Sequence, residues 1–143
     1  MKADISAVKQ IRAFSRFYTD IIGLLDKHLL QSDYSLAEAR ILYEINAAGS
    51  IQASRIITAM YIDKSYLSRL LKKLEKDKLI VKKPSDNDAR AIMLELTDKG
   101  RDEFNKLNQA SDRQITELIK NLPVSTQLEL AMHMQRITDI LKK

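Results

Sequence analysis

The chain has 143 residues, 45% apolar and 30% charged, with three glycines, two prolines and no cysteine. That size suits one domain burying about two-thirds of its unfolded surface without a disulfide or metal staple, and so few turn formers exclude a sandwich or barrel in favour of long helices. The net charge of +5 is unevenly placed: residues 1–60 hold seven bases against six acids, 61–90 nine against five, and 91–143 eight of each, so +4 lies in one thirty-residue window.

Residues 5–30 read as a long helix, because Ile5, Val8, Ile11, Phe14, Phe17, Tyr18, Ile21, Ile22, Leu25 and Leu29 recur at spacings of three and four. Ser32-Asp33-Tyr34 breaks the pattern. Ser35 and Glu38 then fit a capping box, in which each side chain satisfies the other's free backbone N–H. The helix they open carries Leu36, Ala39, Leu42, Tyr43 and Ile45, and Gly49 is a plausible left-handed stop. Ser50 is placed to cap the next short helix, with Ala53, Ile56, Ile57 and Met60 on it. Tyr61-Ile62 makes a turn, and Asp63 suits the cap of a fourth helix over about 64–77.

That fourth helix has an apolar stripe of Leu67, Leu70, Leu71 and Leu74, opposed by Ser65, Ser68, Arg69, Lys72, Lys73 and Lys76. Two short helices in tandem, the second apolar behind and basic in front, follow helix-turn-helix logic: the stripe packs inward and the other face can enter a major groove. Residues near the N-terminus of such a helix reach the base edges, which makes Ser65, Tyr66, Ser68 and Arg69 the candidate readers. Arginine's planar fork matches the two acceptors of guanine. Lys72, Lys73 and Lys76, and Lys83 beyond them, suit phosphates, which orient a protein without specifying sequence.

Leu79–Pro84 and Ala91–Leu96 are β-prone, and Ser85-Asp86-Asn87-Asp88 between them is rich in turn formers. The expected hairpin is a wing, with Arg90 near its tip for a narrow minor groove and Asp88 placed to fix that guanidinium. Thr97-Asp98-Lys99-Gly100 opens another helix bearing Phe104, Leu107, Ser111, Ile115, Leu118, Ile119 and Leu122. A last helix over about 125–142 carries Leu128, Ala131, Met132, Ile137, Ile140 and Leu141. The apolar stripes at both chain ends exceed what a winged helix-turn-helix needs, and burial against a second copy accounts for them.

Other chemistry finds no support in the sequence. Without cysteine there is no thiolate metal site, thiol redox centre or cysteine nucleophile. His28 and His133 stand singly, and His133 is expected on the flank of a packing helix. No phosphate-binding glycine loop or nucleophile signature is present, and no apolar run is long enough to span a membrane. The expectations are therefore no enzyme, no cofactor, no metal, and a cytoplasmic location.

The ordered set Asp63-Lys64-Ser65-Tyr66-Leu67-Ser68-Arg69, Leu74-Glu75, Leu79-Ile80, Asp88-Ala89-Arg90 and Leu96-Thr97-Asp98-Lys99-Gly100 resembles the MarR family of dimeric bacterial transcription regulators. The departures are Lys78, where the family usually has glycine, and Ala89, where a base is common. The resemblance implies a mainly α fold: a winged helix-turn-helix lobe over 35–97 with a two-stranded wing, and dimerisation helices over 1–34 and 98–143, as one domain. It implies a homodimer on a pseudo-palindromic double-stranded DNA operator, acting as a repressor through Ser65, Ser68, Arg69, Asp88 and Arg90. In many relatives a small aromatic or anionic effector binds between the dimerisation helices and the DNA-binding lobe; Phe14, Tyr18 and Tyr43 are the aromatic candidates here. Two alternatives stay open: a helical module whose basic face meets an acidic protein, and the DNA-binding lobe of an acetyltransferase-linked system, since Ser65-Tyr66-Leu67-Ser68-Arg69 is similar to members fused to such a domain.

Overall fold

The computed structural model describes residues 1–29, 32–88 and 90–142; the side chains of residues 24–29 lie outside that description, and with them the readings made for Leu25, His28 and Leu29, as does Ala89. The described elements are α1 (Ile5–Leu29), α2 (Leu36–Ala48), α3 (Ala53–Met60), α4 (Lys64–Lys76), β1 (Ile80–Pro84), β2 (Ile92–Leu96), α5 (Asp98–Ile119) and α6 (Val124–Leu141). The expected mainly helical fold with a two-stranded wing is present.

Local chemistry sets most boundaries. Ser35 Oγ accepts from Glu38 N at 3.2 Å while Glu38 Oε1 accepts from Ser35 N at 3.0 Å, the reciprocal capping box. Gly49 takes the positive φ of 78° that glycine permits. Asp63 Oδ2 accepts from the backbone N–H groups of Ser65 and Tyr66, and Thr97 Oγ1 from that of Gly100. Ser50 does not cap α3. Gln52 holds that position without a side-chain capping bond, because Ile51 exchanges two backbone bonds with Leu94 (3.1 and 2.8 Å) and the chain stays extended past Ser50.

The core lies between α2, α3, α4, the hairpin and the first turns of α5, and Ile41, Leu42, Ile45, Ile56, Leu67, Leu74, Leu79, Ile80 and Leu94 are fully enclosed. Two of its members differ from the sequence pattern. Ile41 is buried although the period singled out its neighbours, and Tyr34, read as part of a break, plugs the core with its ring. In contrast, α6 buries no residue, and α1 is exposed along its described side chains apart from half-buried Ile21. His133 is likewise exposed, its Nε2 3.5 Å from Glu129 Oε1.

The exit from α4 is the tightest joint. Lys78 N–H donates to the Glu75 carbonyl and Leu79 N–H to the Leu74 carbonyl, with Lys78 at φ 64°. This is a Schellman closure in which lysine occupies the left-handed position glycine usually takes. The two strands then pair from Ile80–Leu96 to Pro84–Ile92. The chain returns beside its own exit: Thr97 N–H donates to the Leu79 carbonyl at 3.0 Å and Thr97 Oγ1 to the Lys78 carbonyl at 2.6 Å. Gly100 lies against that backbone, where a Cβ would overlap the Leu79 carbonyl oxygen and stand 2.9 Å from its carbon.

Two substitutions test this joint by urea denaturation. Lys78→Gly relieves a left-handed non-glycine residue and should stabilise the fold by about 1 kcal/mol; a loss of stability would contradict the strain. Gly100→Ala forces the start of α5 off Leu79 and should destabilise by at least about 2 kcal/mol; a neutral result would show that the contact yields without cost.

Candidate nucleic-acid interface

Burial divides α4 into two faces. Leu67, Leu71 and Leu74 are buried and Leu70 half-buried, while Lys64, Ser65, Tyr66, Ser68, Arg69, Lys72 and Lys76 are exposed. Asp63 fixes where the exposed face begins, since its carboxylate holds the first free N–H groups of the helix. The turn before it is tight, with Tyr61 left-handed at φ 51° and its side chain exposed. Arg69 does not extend freely: its guanidinium carbon lies 5.5 Å from the centroid of the Tyr66 ring, one turn back. Tyr66 thereby serves as a shelf that limits the directions the fork can take. Ser68 lines a crevice of about 390 Å³ between α3, α4 and the hairpin, shared with Lys64 and Lys82.

The lysines do not form one uniform set. Lys72 and Lys76 point outward, but Lys73 Nζ lies 2.9 Å from Glu38 Oε2 and 3.1 Å from the Asp33 carbonyl oxygen. Lys73, expected at a phosphate, is exposed like Lys72 and Lys76, and in the single chain it pairs with the buried Glu38 carboxylate. Lys83 is also paired, 3.1 Å from Glu95 Oε1 across the hairpin, though both side chains keep solvent access and such a pair is weak enough to exchange.

At the hairpin tip Arg90 is exposed. Asp88 acts on it differently from the expectation: Oδ1 accepts from the Arg90 backbone N–H at 3.0 Å, so the carboxylate shapes the turn rather than clamping the guanidinium. Ser85 N–H to the Ala91 carbonyl and Ala91 N–H to the Asp88 carbonyl close the same loop.

The three aromatic effector candidates do not come together. Tyr43 lines a cavity of about 220 Å³ between α2 and α5, with Leu36, Arg40, Phe104 and Asn108, and its ring is 6.4 Å from that of Phe104. Phe14 and Tyr18 stack on each other on α1, 5.6 Å between centroids, and are not part of that lining. The sequence reading took Phe104 only as part of the α5 stripe and passed over Arg40, which pairs with Glu44 on its own helix, because the cavity both line is formed between α2 and α5.

Beneath α4, Tyr34 joins the two ends of this arrangement. Its hydroxyl donates to Asp77 Oδ2 at 3.2 Å, and its ring supports Lys73 Nζ at 5.1 Å. Burial, then the hydrogen bond to Asp77, pushes its phenol up from 10.0 to about 12. Among the described residues, no group of three or more His, Cys, Asp or Glu is placed to hold a metal ion, and no helix is long and apolar enough to cross a membrane.

Comparison with known proteins gives this geometry a context. The MarR family profile matches residues 32–91. The chain is similar to the HTH-type transcriptional regulator BilQ of Clostridioides difficile (strain CD3), 29% identical over 103 residues that cover 64% of this chain and 70% of that protein. Its fold is that of BldR from Sulfolobus solfataricus (TM-score 0.80, 17% identity, 99% of this chain and 100% of that one). It is also that of a MarR mutant from E. coli crystallised with operator DNA (TM-score 0.76, 22% identity, 94% of this chain and 99% of that one).

The raised phenol makes a pH prediction. The folded state favours neutral Tyr34, so the stability this adds, on the order of 2 kcal/mol, is complete below pH 10 and is lost as pH rises through about 12. Tyr34→Phe should lose less stability than the parent protein across that interval, by urea denaturation at a series of pH values. Equal losses in the two would contradict the buried hydroxyl.

Proposed function

We propose that this chain, whose residues 32–91 match the MarR family profile, is a transcription regulator of that family that binds an inverted-repeat DNA operator as a homodimer and represses by occupying it. The observation that carries the reading is the division of α4: one side is sealed into the core, and the other presents Ser65, Tyr66, Ser68 and Arg69 to solvent. In a major groove Arg69 reads a guanine edge from its Tyr66 shelf, Ser65 and Ser68 contact neighbouring edges, and Lys72 and Lys76 hold phosphates. Arg90 enters the adjacent minor groove from a turn shaped by Asp88, and Lys83 exchanges Glu95 for a phosphate. The E. coli MarR mutant solved with operator DNA shares this fold, which supports duplex DNA as the partner.

The homodimer reading rests on the apolar side chains left at the chain ends. Ile5, Ile11 and Phe17 on α1, Leu118 on α5, and Leu128, Met132, Ile140 and Leu141 on α6 are all exposed in the single chain, and a two-fold contact buries them. Residues 1–34 and 98–143 then form the dimerisation region and residues 35–97 the reading lobe. A small aromatic or anionic effector fits best at the cavity lined by Tyr43 and Phe104, with Arg40 at its edge. The exposed Phe14–Tyr18 stack is better placed for the dimer face.

Arg69→Ala should lose about 1–3 kcal/mol of operator binding, concentrated at one base pair, and accept other bases there. Lys76→Ala should weaken operator and random duplexes alike. Fluorescence anisotropy on single-position operator variants distinguishes them; equal losses on operator and random DNA for both proteins would remove Arg69 as a reader.

A further inference from the structure

The helix that presents the reading face is tied down at two points one turn apart. At the first, Lys73 Nζ meets Glu38 Oε2 at 2.9 Å, Glu38 Oε1 at 3.2 Å, the Asp33 carbonyl at 3.1 Å and the Tyr34 ring. At the second, Asp77 accepts the Tyr34 hydroxyl. Both lines of attachment end on one short segment, Asp33–Glu38, whose shape is fixed by the capping box that Glu38 also completes. One tether limits a helix's distance from its support; two, spaced along the axis, also limit its rotation and tilt.

We propose that Lys73, Glu38 and Tyr34 form a positioning strap that sets how α4 presents its reading face, with the half-exposed Lys73 ammonium committed to the buried Glu38 carboxylate rather than to a phosphate. The inference rests on the DNA-binding reading above. Glu38 is only 4% exposed, and a carboxylate so buried is strongly disfavoured unless a cation pairs with it. A phosphate contact at the protein surface is a screened interaction, whereas drawing the lysine away would strand the buried Glu38 carboxylate, so the pair with Glu38 wins even though its lysine end is half exposed. Loosening the strap lets α4 turn. Base edges read by side-chain hydrogen bonds are lost on a small rotation, while attraction to the phosphates is retained.

The test compares the parent protein with Lys73→Met, Glu38→Gln and Lys76→Met. Each binds a duplex that the parent selects from a randomised pool, and a scrambled duplex, across a range of salt concentrations. Glutamine also serves in capping boxes, so Glu38→Gln keeps the start of α2, and thermal unfolding checks that each variant folds. Lys73→Met should leave the slope of log K against log salt at the parent value and reduce the selected-over-scrambled ratio roughly tenfold. Glu38→Gln should reduce the same ratio although it makes the protein more positive, a change that charge alone would turn into tighter binding. Lys76→Met should lower the slope by about 0.9 and leave the ratio unchanged. The strap is overturned if Lys73→Met lowers the slope in that way with its ratio intact, or if Glu38→Gln leaves the ratio unchanged or raised. A parent protein with no salt-dependent duplex binding overturns the DNA-binding reading instead.

Discussion

The carbonyl of Leu79 is the point on which the arrangement of α4, the hairpin and α5 depends. It lies just after the Schellman closure of α4, accepts the Thr97 N–H, and faces Gly100 with no room for a Cβ. Three elements are thereby fixed to one another within a few residues: α4 ends there, the hairpin starts and finishes there, and the long helix α5 departs from there. The left-handed Lys78 is the strain this joint carries, because the chain must reverse immediately after α4 for Ile80 and Leu96 to pair. Its carbonyl is held in turn by the Thr97 hydroxyl.

Around that joint, the bases of the segment are all exposed, and they differ in whether an acid of the same chain pairs with them. Lys73, though exposed, is paired with the buried Glu38 over the Tyr34 ring, and just beyond the segment Lys99 Nζ binds the Asp77 carbonyl at the end of α4. Lys64, Arg69, Lys72, Lys76 and Arg90 remain exposed. The concentration of +4 in residues 61–90 therefore has two uses, one in holding the helix and one in presenting it. Counting bases along the sequence overstates the number free to meet a polyanion, since side chains more than thirty residues apart decide which are occupied.

Much of the fold was legible because it is governed by local rules. The capping box at Ser35 and Glu38, the Asp63 cap, the leucine stripe of α4 and the hairpin signals depend on residues a few positions apart. Ser50 failed as a cap because a long-range bridge between Ile51 and Leu94 outcompeted a local bond. Tyr34 looked like part of a break because its partners, Lys73 and Asp77, lie about forty residues on. Asp88 was rightly placed beside Arg90, but geometry gave it the backbone N–H instead of the guanidinium. Of the candidate site, the outward residues of α4 were readable from period alone. Their support was not: the Tyr66 shelf, the Glu38 anchor and the cavity wall contributed by Phe104 need the folded chain.

Under the proposed function, the two-faced α4, the arginine-tipped wing and the exposed apolar faces at the chain ends act together to recognise symmetric DNA. Selection of bound duplexes from a fully randomised pool by the intact protein tests that claim most directly. The account predicts enrichment of an inverted repeat whose half-site centres lie about one helical turn, roughly 34–36 Å, apart, occupied by two chains per duplex. Recovery of unenriched sequences, or of an asymmetric site bound by a single chain, would contradict it.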